Sequence, residues 1–369
     1  MKESRRLNSL GLRDELVNEP PLGIEGRVSK GDLLPNFLME LSDASMRTIR
    51  SGDFRLVQTP AFPPEEESVD ELQLCLVRED LEDPIPIEPL YEETVIVAVD
   101  ASSVKVGETG NGIICAIRGA IVWRRGGEIS FIRCGPLLFH ITNFVMENLH
   151  EEKAEANFEL KFPVSAVSRL RNLLERSLQG SACRRFEGAI LLFDGSLTAG
   201  TPDNPSKNLG MILSAARRRR NSVLAISKAT RITLSGVNAS RLLRSAKAPC
   251  LLDIDRDVRA SFPNHPVQLL GKVYVAKLSA GGFAFRLDAD RNLPSNKVLE
   301  SVGKLVAIDV VEQGYPDTLR LAHILSSFTA SEVIGIQGLL SKNFGLQMLP
   351  KVNLRRILFG PFGSSLEVS

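Results

Sequence analysis

Two short runs carry the residues best suited to chemistry in this chain: VIVAVDASS, which contains Asp100, and GAILLFDGSL, which contains Asp194. In each, apolar residues lead straight into an aspartate followed by a small residue and Ser. A continuous Val/Ile/Leu run of this kind reads as a strand buried on both faces, so each strand is expected to end at its aspartate, on the rim of a sheet. A carboxylate there is costly unless it is paired, hydrogen-bonded or holding a cation. Two carboxylates on one rim make a candidate divalent-metal site, the arrangement used in two-metal phosphodiester hydrolysis, with ions about 3.5–4 Å apart. Hard oxygen ligands suit Mg2+ or Mn2+. The competing reading is structural: Asp before Ser or Gly often caps a turn through its own side-chain oxygen.

Glu175 lies on a predicted helix beside Leu174 and Leu178. From the flank of that apolar stripe it can point at the same rim, or it can pair with Arg171 one helical turn earlier. In GYPDTLRLAH, the helical rise separates Tyr315 from His323 by about 12 Å and roughly 80° of azimuth. They cannot touch, but both can line one groove, with His323 as a further ligand or proton carrier; core packing is the alternative for each. Lys228 ends the strand-like SVLAISK, where it meets either a phosphate at the rim or only solvent. The run Arg217 to Arg220 near a helix end offers Arg217 and Arg218 for phosphate contacts, with plain solvation equally open. An imidazole among oxygen ligands tilts the preference from Mg2+ toward Mn2+. His140, His150 and His265 show no ligand spacing.

The elements that must position these groups fit a chain of 369 residues that is 43% apolar, enough for a proper core without staples. The 45 Lys and Arg against 44 Asp and Glu neither suggest nor exclude nucleic acid. Five scattered cysteines without a CxxC pair argue against a disulfide framework or a zinc knuckle and point to a reducing cytoplasm. The N-terminal residues interleave Arg with Glu and Asp and do not resemble a signal peptide. No apolar stretch of bilayer-spanning length is apparent, so no membrane association is expected.

Residues 1 to about 30 read as a polar arm, and the acidic, proline-rich stretch from Pro60 to Glu93 as an extended connector without regular structure. Together they form an N-terminal region over 1–90. A helix is predicted over Pro35 to Ile49. From Thr94 the pattern turns to strands: VIVAVDAS, then GIICAIRGAIVWRR and EISFIRCGPLLF, joined at Arg125-Gly126-Gly127 as a hairpin. A helix-prone stretch follows from Phe144 to Leu160, then a helix after Pro163 that is expected to stop at Gly180, then the strand to Asp194. Next come a helix over Lys207 to Arg220, the strand to Lys228, two strands joined by Gly281-Gly282, a strand near LVAIDVV, and a helix begun by Pro316. This succession is that of an α/β, RNase H-like fold: a mixed sheet flanked by helices over 91–335, with an N-terminal arm and a C-terminal extension over 336–369. The apolar stretch IQGLLSKNFGLQMLPKVNLRRILFGPFG reads as a candidate subunit surface.

The combination of VAVDASS, LLERSL, LLFDGSL, AISK and GYPDTLRLAH, in that order over about residues 94 to 330, resembles the NurA nuclease family. The resemblance implies a manganese-dependent nuclease acting on DNA ends. It further implies a homodimer docked on a HerA-type hexameric ATPase, with a role in end resection for recombination repair. By position, Asp100 and Asp194 match the family's two catalytic aspartates, and Tyr315 and His323 its C-terminal tyrosine and histidine. Glu175 is the best match to its helical glutamate, with Glu151, Glu152, Glu155 and Glu159 as alternatives. The first motif departs from the pattern, reading Asp-Ala-Ser where Asp-Gly-Ser is more usual. Two rivals remain on the sequence: an actin-like or sugar-kinase-like ATP-binding protein, which needs glycine-rich hairpins after both aspartates, and a non-catalytic subunit that keeps the fold.

Overall fold

The computed structural model describes residues 33–49, 55–58, 74–76, 83–151, 163–200, 206–228, 230, 232–261 and 267–349. Helix α1 (Asn36–Met46) and strands β1 (Arg55–Gln58), β2 (Leu74–Leu76) and β3 (Ile85–Pro86) precede three long strands, β4 (Ile96–Thr109), β5 (Gly112–Arg125) and β6 (Glu128–Ile141). Helices α2 (Asn143–Glu151) and α3 (Pro163–Arg185) lead to β7 (Ile190–Asp194), and β8 (Thr198–Ala199) and α4 (Ser206–Arg218) lead to β9 (Ser222–Ser227). Then come β10 (Ile232–Leu234), β11 (Val237–Asn238), α5 (Ala239–Leu242), β12 (Cys250–Asp253), α6 (Asp255–Ala260), β13 (Gln268–Leu269), β14 (Gly271–Lys277) and β15 (Phe285–Asp290). The last described elements are α7 (Ser295–Ile308), β16 (Val311–Glu312), β17 (Tyr315–Pro316), α8 (Asp317–Ser326), α9 (Ala330–Phe344) and β18 (Gln347–Leu349).

One mixed sheet dominates, in the order β18-β1-β4-β7-β9-β15-β14-β12-β3, with β5 and β6 added beside β4. At its centre β4, β5 and β6 form antiparallel hairpins, while β7 and β9 run parallel to β4. Parallel neighbours need crossover connections, and α3 and α4 supply them. Three antiparallel strands followed by two parallel to the first are the RNase H-like order that the sequence predicts. The sheet separates two cores. Val97, Val99, Leu191 and Phe193 pack on one face with Leu174, Leu178 and Leu213 of α3 and α4. On the other face Ile96, Ala98, Ile190 and Leu192 meet Val298 and Val302 of α7 and Leu319 and Ala322 of α8. Alternation along β4 and β7 therefore assigns odd and even residues of β4 to opposite layers.

Several elements differ from the sequence reading. Helix α3 does not stop at Gly180 but continues to Arg185. Gly180 lies within the helix on its α4 side, where Ile212 Cγ1 would be 3.7 Å from a Cβ, an ordinary contact. The segment LVAIDVV is not one strand: its first part is the last turn of α7, whose Val298, Val302 and Leu305 repeat at helical spacing and are buried. The proline-rich connector holds two short strands, β2 paired with β10 and β3 paired with β12. Within the described part of the C-terminal stretch, Ile336, Leu340 and Leu346 are not a subunit surface; they pack against Val104, Val106 and Ile114 of this chain's own sheet. Helix α9 runs through position 335, and β18 pairs with β1. The N-terminal arm lies outside the described residues.

One apolar stretch, Asp317–Phe344, has the length and composition of a membrane span. It is divided into α8 and α9, of 10 and 15 residues, each shorter than the roughly 20 residues a span requires. A side-chain capping box at Thr329 and Glu332 begins the second helix.

Gly303 of α7 allows the segment around Glu88 and Leu90 to lie against the helix, and Leu90 N donates to Gly303 O at 3.0 Å. A Cβ on Gly303 would sit 2.5 Å from Glu88 O. Gly303→Ala gains about 1 kcal/mol in helix propensity but forces backbone apart, which costs roughly 1–3 kcal/mol. We expect a net loss in urea unfolding; a stabilised variant would show that this strap does not pack on α7.

Candidate active site

The parallel pairing of β4 with β7 runs from Ile96↔Ile190 to Val99↔Phe193. One further step in that register sets Asp100 beside Asp194, and residues in register on parallel strands share a face. Asp194 is the last residue of β7, as expected, but Asp100 is not the last of β4, which continues to Thr109. The rim exists because the neighbouring strand stops. β7 ends at Asp194, β1 joins the same edge of β4 only at Gly107 and Glu108, and among the described residues no strand pairs with that edge in between.

Into this gap α8 delivers its side chains. His323 Nδ1 lies 3.0 Å from Asp100 Oδ2, and Ser326 Oγ donates to the same oxygen at 2.6 Å. Ser102 Oγ is 2.9 Å from Ser326 Oγ. At the head of α8, Tyr315 OH donates to Asp194 Oδ1 at 3.4 Å, while Lys228 Nζ sits 2.8 Å from Asp194 Oδ2. Asp100, Asp194 and His323 each offer a ligand atom, all within 4.8 Å of one another. Two carboxylate oxygens and an imidazole nitrogen are the donor types a divalent cation takes, and ligands of one ion at bond lengths of about 2.1 Å lie up to about 4.2 Å apart, so a bound ion would draw this set slightly closer. The site grades outward from Asp100, whose side chain is 6% exposed, through Asp194 at 21% to His323 at 37% and Lys228 at 44%.

The electrostatics follow from these contacts. Burial opposes the charge of Asp100, but hydrogen bonds from His323 and Ser326 and the positive charge of Lys228 outweigh it and hold the carboxyl below its usual range. The hydrogen bond to Asp100 raises His323 above its ordinary value, against burial and the charge of Lys228. Burial, reinforced by Asp194 and Asp100, pushes the Tyr315 phenol far up, so it stays protonated and acts as a donor.

Glu175 comes from the opposite face of the sheet, on α3 among Leu174 and Leu178, and is not part of the three-residue group. Its Oε1 accepts from Gln179 Nε2 at 2.8 Å, and Gln179 in turn accepts from Arg176 at 2.7 Å. Burial raises its carboxyl to about 7; the charges of Asp100 and Asp194 add to the rise and Arg176 and Arg171 counter it. Glu175 therefore feels both aspartates. Of its alternatives, Glu152, Glu155 and Glu159 lie outside the described residues, and Glu151 is described only as the end of α2.

Arg217 and Arg218 are not at the rim. α4 is the return crossover, so its last turn sits where β9 begins, at the end of the sheet away from Asp194. There Arg217 Nη1 bonds both carboxylate oxygens of Asp290 at 2.8 Å and Nη2 reaches Ser214. Arg218 is exposed at the same end.

Two supports escaped the sequence reading. Gly195, at φ +90°, turns the chain after Asp194 and bonds Ile226 O. Leu197 N then donates to Asp288 Oδ2 at 2.9 Å, and Asp288 is held by Arg286 in a buried bidentate pair at 2.8 Å. The alternation Arg286-Leu287-Asp288 on a strand is the signal that places both charges on one side. At the junction of α8 and α9, Arg118 bonds Ser327 O at 3.1 Å and stacks 4.3 Å over Phe328, and Arg133 bonds Leu325 O at 3.1 Å. Both also reach Glu332, at 2.8 and 3.1 Å. The sequence Thr329-Ala330-Ser331-Glu332 is a legible capping-box signature; its arginine partners, which come from β5 and β6, are not.

An RNase H-like sheet with two carboxylates and an imidazole converging at a split edge places this chain among α/β proteins of that fold with an acidic rim, a donor set of the kind that divalent cations take. The model of the NurA domain matches residues 94–328, and the chain belongs to the NurA family. Among solved structures it is similar to the NurA nuclease from Sulfolobus solfataricus, at 16% identity and a TM-score of 0.48, covering 70% of this chain and 88% of that one. It also aligns with endonuclease V from Bacillus subtilis, at 12% identity and a TM-score of 0.32, covering 71% and 88%. A third alignment is with Kluyveromyces polysporus Argonaute with a guide RNA, at 9% identity and a TM-score of 0.25, covering 63% and 27%. Among curated proteins, no sequence matches significantly.

Glu332 tests the support of α8. Burial pushes its carboxyl up, but Arg118 and the Thr329 amide outweigh this and bring it from 4.5 down to about 2. Because the folded value is depressed, its contribution is complete above pH 4.5 and is lost as pH falls toward 2. Glu332→Gln is expected to cost about 2–3 kcal/mol at pH 6 and to flatten the decline in urea stability between pH 4.5 and 3. Equal stabilities at pH 6 would remove the arginine clamp as a structural element.

Proposed function

We propose that this chain is a metal-dependent deoxyribonuclease that hydrolyses phosphodiester bonds at DNA ends, as an exonuclease with endonuclease activity in addition. The observation that carries this reading is the convergence of Asp100, Asp194 and His323 at the split edge of β4, with Lys228 at its outer side. Asp100, Asp194 and His323 would hold the cation, with Glu175 as a further carboxylate, and the imidazole would favour Mn2+ over Mg2+. A divalent ion bound there would supply Lewis-acid activation of water and neutralise phosphate charge.

The chain's own groups do the rest. Lys228 is the most exposed of them and exchanges Asp194 for a phosphate oxygen of the strand. Tyr315 stays a neutral phenol and fixes the Asp194 carboxylate by donating to it. Ser326 fixes Asp100 in the same way. His323 donates through Nδ1 to Asp100, and this nitrogen would serve as a ligand only once its proton has left.

NurA-family membership supports the finer assignments, which we also propose: a homodimer, cooperation with a HerA-type hexameric ATPase in end resection for recombination repair, and a cytoplasmic setting. No disulfide joins the described cysteines, in keeping with that setting. An ATP-binding reading finds no support at the first aspartate, since β4 continues to Thr109 where a glycine-rich phosphate hairpin would have to turn.

The test is hydrolysis of an end-labelled DNA duplex with Mn2+. Asp194→Asn should lower kcat by about 10²-fold or more with an unchanged thermal unfolding midpoint. A variant with full activity would remove this site as the active site.

A further inference from the structure

Helix α8 carries the imidazole of the acidic site, yet the residue at its start cannot cap it. Its N-cap position is Pro316, which makes no side-chain bond to the first helical amides. A helix leaves its first N–H groups without intrahelical partners, and here the acceptors come from the residues that end α7. Asp317 N donates to Val310 O at 2.8 Å, and Thr318 N donates to Asp309 Oδ2 at 3.2 Å.

Asp309 is thus a cap supplied from outside the helix. Its side chain is fully buried, and Oδ1 accepts from Thr318 Oγ1 and from Val310 N, both at 2.9 Å, with Arg124 Nε of β5 3.1 Å away. Thr318 is buried as well. Their contact closes the loop 309–318, inside which β16 pairs with β17 and Tyr315 reaches Asp194. Beyond the loop, His323 and Ser326 lie about 7.5 and 12 Å further along the axis of α8, and both bond Asp100. Packing of Leu319 and Ala322 keeps α8 on the sheet, but apolar contact is non-directional. The hydrogen bonds at its start are directional, and they fix the rotation of the helix and its position along its own axis.

We propose that Asp309 and Thr318 are positioning residues of the cation site, acting through α8 to hold His323 and through the 309–318 loop to hold Tyr315. A ligand set must be kept within about 0.5 Å of its productive geometry by the groups behind it, and this buried contact is the one that joins both elements. The proposal rests on the reading of Asp100, Asp194 and His323 as cation ligands; hydrolysis of DNA is a separate matter.

The experiment titrates Mn2+ into the full chain by calorimetry, for wild type, Asp309→Asn, Thr318→Val and Thr318→Ser, and in parallel measures oligonucleotide hydrolysis. Thr318→Val keeps the shape of the side chain and removes its hydroxyl, while Thr318→Ser keeps the hydroxyl; this pair decides the matter if Asp309→Asn does not fold. Asp309→Asn and Thr318→Val should weaken Mn2+ binding about tenfold and lower kcat similarly, with KM changed far less. Thr318→Ser should stay close to wild type in both. Folded Thr318→Val with wild-type Mn2+ affinity overturns the proposal, as does a wild type that binds no Mn2+. Affinity lost in Thr318→Val and kept in Thr318→Ser, while wild type hydrolyses nothing, preserves the positioning role and removes the nuclease reading instead.

Discussion

Two like-charged carboxylates set side by side on adjacent strands repel each other, and the rest of this structure is arranged to make that tolerable. The register of β4 with β7 fixes the proximity of Asp100 and Asp194. The compensation comes from elsewhere: the positive charge of Lys228 from the end of β9, and hydrogen-bond donors from His323 and Ser326 of α8 and from Tyr315. Without these groups the pair would carry an uncompensated charge at a half-buried rim, which proteins avoid by shifting protonation or by binding a cation. The same contacts leave a donor set that a divalent ion can occupy.

Helix α8 is thus the hinge between fold and chemistry. Its apolar side, Leu319 and Ala322, belongs to the core under β4 and β7, while its polar residues reach across the open edge. Its start is tied to β5, since Arg124 pairs with Asp309 at 3.1 Å and Asp309 accepts from Thr318 Oγ1 at 2.9 Å. Its end is tied by Arg118 and Arg133. Helix α9 then lies on the far half of β4, where Gln337 donates to Val106 O at 2.8 Å. A continuous helix over Asp317–Phe344 could not make both sets of contacts, which gives the break at Thr329 a structural purpose.

Much of the site was legible because it depends on local pattern. An apolar run ending in Asp-Gly-Ser specifies a buried strand and a turn, and Gly195 has the positive φ that this turn requires. Tyr315 and His323 share a helix start and a helix, so their spacing reveals that both can face one groove. What the sequence did not disclose depends on tertiary placement. The length of β4 beyond Asp100 was hidden because its polar residues face α8, as Ser102 does at Ser326. Arg217 and Arg218 have the composition of a phosphate site, but the crossover carries them to the opposite end of the sheet. The β-branched run in LVAIDVV imitates a strand, and only the wider spacing from Val298 shows the helix.

The central claim is that Asp100, Asp194 and His323 share a cation. Anomalous diffraction at the manganese edge from crystals soaked in Mn2+ tests it most directly. A peak bounded by the two carboxylates and the imidazole, with Lys228 withdrawn from Asp194, is the predicted result; ordered crystals with saturating Mn2+ and no peak between these residues would contradict it.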